Sequence, residues 1–228
     1  MKRNYWPLIM IAIVLAGFIV GGALYGQMPD PMASHWNAQG MANGTISRFW
    51  GVFLIPIISL GVLLLFLAIP LIDPLRTNIQ KFKGYYYGFA TVFMVYFLYI
   101  YILTMLWNLN LRFDMTRALM PAVGVLFIVV GAMIRKAKRN YMVGIRTPWT
   151  LASDEVWDRT HKLGGWLFIG SGIVVGILAI FLSSAIFWVM IALILAVTLF
   201  TMVYSYVIYK QLEKAGKLPQ NPMSPNKS

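Results

Sequence analysis

The side chains best suited to hold a metal or move a proton are few here: two histidines, His35 and His161, and seven carboxylates, with no cysteine at all. Zero Cys excludes disulfides, iron–sulfur clusters, thiolate metal sites and a cysteine nucleophile. The spacing of the rest disperses them. His35 shares its hydrophilic stretch with Asp30, and Asp114 stands in another. His161 lies more than a hundred residues further on, with Asp154, Glu155 and Asp158. No H-E-x-x-H, G-x-S-x-G or P-loop pattern occurs. No carboxylate pair lies in an apolar stretch, where acid–base work or a proton relay would need one. The sequence therefore predicts no catalytic residues, no metal and no cofactor. Asn43-Gly44-Thr45 fits a glycosylation sequon, a weak three-residue match.

The elements that must position these residues are mostly apolar. Of 228 residues, 60% are hydrophobic and 11% charged, with a mean hydropathy of +0.73. A soluble domain carries about 45–50% apolar and about 25% charged residues. Six runs lack Asp, Glu, Lys, Arg and His: Trp6–Gly26, Trp50–Ile72, Gly84–Trp107, Ala118–Ile134, Gly164–Leu182 and Ile186–Tyr209. A hydrocarbon core of about 30 Å takes roughly 20 helical residues, so each run is long enough to span it or nearly so. Lys2 and Arg3 resemble the n-region of a signal peptide. The run behind them exceeds the usual ~7–15 residues and no clean cleavage site follows, so it reads as a retained helix. Pro56 predicts a kink in the second span, and Pro121 falls in the first turn of the fourth. Gly17/Gly21, Gly22/Gly26 and Gly172/Gly176 are small-residue pairs that permit close helix approach. The tyrosines of the third span, Tyr85, Tyr86, Tyr87, Tyr96, Tyr99 and Tyr101, read as aromatic packing, with hydroxyls that bond across helices as the alternative.

Charge gives the orientation. The N-terminus and segments 73–83, 135–163 and 210–228 hold sixteen of the 19 Lys and Arg, and the alternate segments hold only Arg48, Arg112 and Arg117. Sixteen against three over short loops is a strong positive-inside bias. It predicts both termini in the cytoplasm, which an even number of spans requires. The net charge of +12 is thus read as anchoring, with no direct nucleic-acid contact. The expected fold is an all-α integral membrane protein: a six-helix bundle with a short amphipathic cytoplasmic helix before the fifth span. The chain is read as one membrane domain, 1–228. It comprises an N-terminal two-helix unit (1–83) with outer loop 27–49, helices three and four (84–134), a cytoplasmic loop (135–163), a helical hairpin (164–209) and a tail (210–228).

Within 27–49, Pro29, Pro31, Gly40 and the turn pair Asn43-Gly44 predict an ordered cap. Segment 135–163 opens with Arg135-Lys136-Ala137-Lys138-Arg139, a run expected to anchor topology and meet anionic headgroups. Ser153 reads as a helix N-cap with Asp154 and Glu155 in the first turn, and Glu155–Arg159 and Asp158–Lys162 as i,i+4 ion pairs.

Two segments carry a family resemblance. The first is Gln27-Met-Pro29-Asp-Pro-Met-Ala33-Ser-His35-Trp-Asn37-Ala-Gln-Gly40, followed by Asp73-Pro74-Leu-Arg76-Thr-Asn78. It resembles the N-terminal domain of unknown function of SdpI-like proteins, except that Ala33 stands where a proline is common. The second, Asn140-Tyr141-Met-Val-Gly144-Ile-Arg146-Thr147-Pro148-Trp149-Thr150-Leu151 and then Trp157, Thr160 and His161, is similar to the C-terminal signature of the SdpI family over a long, nearly unbroken stretch. The resemblance implies a multi-pass protein of a prokaryotic plasma membrane. It implies immunity to a secreted, membrane-active peptide toxin, and a small transcriptional repressor held at the inner face. By resemblance, Pro29, His35, Asn37 and Gly40 would meet the outer ligand. Asn140, Tyr141, Gly144, Arg146, Thr147, Pro148, Trp149, Thr150, Trp157, Thr160 and His161 would form a partner surface or dock the inner loop.

The residues themselves leave both roles open. Gly144 permits unusual backbone angles and Pro148 holds Thr147 extended, a setting that predicts Arg146 hydrogen-bonded to the loop or to the 153–162 helix. His35 suits either a structural bond in the cap or a ligand contact. The alternatives to an immunity or signalling protein are a transporter or channel for a small or amphipathic solute, a structural membrane protein and, last, an intramembrane enzyme.

Overall fold

A computed structural model describes residues 5–182 and 184–218. Lys2 and Arg3, Ser183 in the tight 183–185 connection, and the tail beyond 218 lie outside the described residues. The elements in order are α1 (Trp6–Leu24), a 3-10 turn (Tyr25–Gln27), β1 (Met32–Trp36), β2 (Ala42–Ile46), α2 (Arg48–Ile72), α3 (Arg76–Lys81), α4 (Lys83–Asn108), α5 (Met115–Ile134), α6 (Pro148–Ala152), α7 (Asp154–Phe181) and α8 (Ala185–Lys214). Six of them, α1, α2, α4, α5, α7 and α8, are long and apolar enough to cross a membrane. Their surfaces carry exposed large apolar side chains such as Leu64, Leu65, Ile180, Phe181 and Leu199, as helices facing lipid do.

No separate short helix covers 154–163; these residues are the first turns of α7 and run without a break into the span. Ser153 caps α7, its hydroxyl accepting from the Val156 N–H. Pro121 lies one turn deeper than the sequence implied, because α5 starts at Met115 with Asp114 as cap. Both Pro56 and Pro70 lie inside α2.

The helices form two packed groups. In the first, Met10, Val14, Leu63, Ala90 and Met94 make a core between α1, α2 and α4. In the second, Met120, Val123, Val175, Ala179 and Ile186 join α5, α7 and α8. The antiparallel pair α5–α7 is the tightest contact in the bundle and is built on glycine. A β-carbon on Gly131 would lie 2.4 Å from the Gly165 carbonyl oxygen, and one on Gly172 equally close to that of Gly124. These glycines recur every seven residues on both helices. Small residues allow such backbone contact where no hydrophobic drive separates helix from lipid. Of the pairs singled out from sequence, Gly17 and Gly21 do face α2 and α4, while Gly22 and Gly26 face open space. Among the tyrosines, Tyr86 donates to the Phe66 carbonyl and Tyr99 to that of Ala118, each at 2.8 Å.

The 27–49 segment is a capping hairpin. β1 and β2 pair antiparallel, Met32 opposite Ile46 and Trp36 opposite Ala42, with irregularities on either side of His35. The turn is not at Asn43-Gly44, which lie within β2. It is at 37–41, where the Asn37 Oδ1 accepts from the N–H groups of Gln39 and Met41. Gly40 there takes φ +74°, a conformation that favours glycine.

Candidate functional site

At the hairpin end, a cavity of about 410 Å³ lies between the hairpin and four helices. Trp50, Gly51, Leu54 and Ile55 of α2, Ile100 and Thr104 of α4, Met115, Thr116, Leu119 and Met120 of α5, and Phe187 of α8 form its walls, and residues 33–38 and Ile46 its roof. The wall is apolar, relieved by Thr104 and Thr116, and the roof adds Ser34, His35 and Asn37. Trp50 and Leu54 are themselves exposed on the flank of α2. A volume of this size, mostly apolar with a few polar groups, suits an amphipathic ligand.

The roof is held from below by Asn108, the last residue of α4. Its Oδ1 accepts from the Ala33 N–H at 2.8 Å, and its Nδ2 donates to the Ala33 carbonyl at 3.0 Å and to that of Thr104 at 2.9 Å. A proline at position 33 would have no N–H to give. Gly40 holds the turn against α5: its carbonyl accepts from the Met115 N–H, and a β-carbon there would collide with the Asp114 carboxylate. Of the outer-loop residues inferred by resemblance, Asn37 and Gly40 thus shape the turn. Pro29 and His35 are exposed, and the His35 Nδ1 is hydrogen-bonded to the Asn43 Oδ1.

At the opposite end, loop 135–153 is bound down almost residue by residue. Asn140 is fully buried. It donates to the carbonyls of Lys138 and Val143 and accepts from the N–H groups of Met142 and Val143. The Trp157 indole donates to the Ala137 carbonyl at 2.9 Å. His161 stacks on Trp157, its Nε2 accepts from the Ile145 N–H at 2.9 Å, and its Nδ1 lies 2.8 Å from the Trp157 carbonyl. That pair of partners requires a neutral ring with the proton on Nδ1. Gly144 takes φ +118° and leaves no room for a side chain beside His161. Thr147 and Thr150 form a reciprocal capping box on α6, and the Thr147 hydroxyl also meets Ser205 of α8 at 3.0 Å. Trp149 packs edge-on to Tyr206. Pro148, the first residue of α6, is exposed, and Thr160 is fully buried.

Arg146 donates to the Tyr141 carbonyl at 2.6 Å and is otherwise exposed. The buried cation of this loop is Arg139, which sequence reading grouped with the anchoring run. It is 7% exposed, pairs with Asp154 at 2.7 Å and donates to the Leu151 carbonyl. Lys138 pairs with Asp158, in place of the expected Asp158–Lys162 contact, while Glu155 does pair with Arg159. Asp73 is 1% exposed, accepting from the Leu75 and Tyr141 N–H groups. Asn78 donates to the Arg139 carbonyl at 2.8 Å. These last two tie the first helix group to the loop. No cluster of three metal-ligating side chains occurs among the described residues.

Six membrane-length helices, a hairpin cap over an apolar cavity at one end and a buried hydrogen-bonded loop at the other define a multi-pass membrane protein. Residues 136–205 match the SdpI/YfhL protein family, and residues 12–60 match a domain of unknown function, DUF1648. The chain is 28% identical over 212 residues to the immunity protein SdpI of Bacillus subtilis (strain 168), which covers 93% of this chain and 98% of that protein. The chain is thus similar to the SdpI family in its C-terminal part and to that immunity protein along nearly its whole length, and it is a multi-pass membrane protein of a prokaryote. No solved structure matches it.

Proposed function

We propose that this protein gives the membrane that holds it immunity to a membrane-active peptide, without chemistry, by seating an apolar stretch of that peptide in the cavity under the hairpin. The cavity carries the reading: it is apolar, partly open on the flank of the bundle, and roofed by the loop that His35 and Asn37 occupy. Similarity along nearly the whole length to a protein named for immunity supports it. In this reading both termini and loop 135–163 face the cytoplasm, the hairpin faces outward, and 1–228 works as one domain. The exposed inner residues Arg146 and Pro148, beside Trp149, would present the surface on which a small repressor is held when peptide is bound.

The test is survival of susceptible cells, with and without the protein, against a panel of membrane-active peptides. Leu119→Trp, which fills the cavity, is expected to abolish protection at unchanged expression. Full protection with the cavity filled would refute this site. The absence of ionisable wall residues other than His35 favours no ion path, but a passive conduit for an amphipathic solute fits the same cavity. Solute flux into proteoliposomes, blocked by Leu119→Trp, would select that reading instead.

A further inference from the structure

The basic run 135–139 divides in two. Lys138 and Arg139 are satisfied by acids of α7, Asp158 and Asp154. Arg135 and Lys136 have no carboxylate in ion-pair range among the described residues. They lie on aromatic rings: the Arg135 guanidinium is 3.7 Å from the Trp166 ring centroid, and the Lys136 ammonium 5.8 Å from that of Tyr85. Trp166 on α7 and Tyr85 on α4 are each about half exposed, at 53% and 50%. Arg135 is positioned rather than loose. Its stem lies so close to Gly165 that a β-carbon there would fall 2.1 Å from its Cγ. Its Nε is buried and has no hydrogen-bond acceptor, a costly state for a charged donor.

We propose that Arg135 and Lys136, with Trp166 and Tyr85, bind the phosphate of an anionic phospholipid in the leaflet at this end of the bundle. A ring-stacked guanidinium keeps its in-plane donors free, a geometry that matches two phosphate oxygens. Trp and Tyr prefer the headgroup layer, and Trp166 stands two residues inside the uncharged stretch that begins at Gly164. A ligand held there has its charge at the interface and its chains in the hydrocarbon, which free phosphate or a soluble polyanion does not. The inference is independent of what occupies the hairpin-end cavity.

The experiment is thermal unfolding of the purified full chain in neutral detergent. It is titrated with short-chain phosphatidylglycerol, with phosphatidylcholine of the same chain length, and with inorganic phosphate. Phosphatidylglycerol alone is expected to raise Tm saturably. Arg135→Gln with Lys136→Gln should weaken the midpoint about ten-fold or more, and Lys138→Gln should leave it within about two-fold. Lys136→Gln alone, which leaves the Arg135–Trp166 stack intact, should give a smaller weakening and serves if the double variant does not fold. An equal response to phosphatidylcholine or to phosphate, or an equal loss in Lys138→Gln, overturns the site.

Discussion

Asn108→Leu removes the clamp under the hairpin with little change in size. Two backbone groups of Ala33, itself 6% exposed, then lose their partner: the N–H at 2.8 Å and the carbonyl at 3.0 Å. Each buried orphan costs about 1–3 kcal/mol. Taking the low end for both, because a surface hairpin can relax, gives about 2 kcal/mol, a roughly 30-fold shift in a local opening equilibrium. The hairpin has little to resist that shift, since an isolated two-stranded pair is marginal at best. Hydrogen exchange of the purified protein should therefore show protection of the β1 amides falling about 30-fold, with α7 unchanged. Asn108→Asp, which keeps an acceptor for the Ala33 N–H but loses the donor to its carbonyl, should fall in between. Unchanged exchange across 32–46 in Asn108→Leu would refute the clamp, and exchange raised equally in α7 would show general unfolding instead.

Gly165→Leu drives a side chain into the Gly131 carbonyl and the Arg135 stem and should lower Tm sharply, whereas Gly26→Ala, facing open space, should not; equal shifts would remove the glycine seam from the account. Arg139→Ala leaves Asp154 and the Leu151 carbonyl unpaired and should raise proteolysis within 138–152, far more than Arg146→Ala, which loses one exposed bond; the reverse order would put the organising charge at Arg146. For orientation, cysteines at the exposed positions Met41 and Glu155 should label from opposite sides of intact cells, and labelling of both by an impermeant reagent added outside would reject the inward-facing loop.

The spans were legible because twenty uncharged apolar residues in lipid have few alternatives to a helix, and their number and length needed no tertiary information. The hairpin was not. Met32–Trp36 lacks a clean period of two, and Asn43-Gly44 has turn composition yet sits in a strand, because Gly40 docked on Asp114 and Met115 fixes the turn earlier. Spacing along one helix pairs Asp158 with Lys162, whereas the chain leaving α5 brings Lys138 to Asp158 from another element. Arg139 differs from its neighbours in the basic run only by its depth, and no local pattern reports depth. Asn108 and Asp73 were legible in one limited respect: each is a polar residue placed at the end of an apolar run, where a helix terminus has backbone groups to satisfy. The glycine repeat of seven on α5 and α7 was present in the sequence, but a search for spacings of four passes over it.

The two helix groups meet along a seam, and the polar bonds that cross it gather at its ends. At the loop end these are Asp73 to Tyr141 and Asn78 to Arg139. At the hairpin end they are Gly40 to Met115, Asn37 to Thr116, and Tyr99 to Ala118. The cavity lies in the seam at the hairpin end, with α2 and α4 on one wall and α5 and α8 on the other. A ligand there touches both groups, so its binding free energy depends on their relative position, and by linkage it biases that position. The first turns of α5 line the cavity, and its last residues run directly into Ala137–Tyr141, whose backbone Trp157, Asn78 and Asp73 hold at residues 137, 139 and 141. On the reading proposed above, α5, which packs on α7 through close glycine contacts and through side chains such as Phe127 on Phe168, is therefore the element through which occupancy of the cavity reaches the loop. The loop is tied by directional bonds, each of which is either made or broken. A displacement of α5 comparable to a hydrogen-bond length would change which of them are made, and the exposed residues 146 and 148 would move with it.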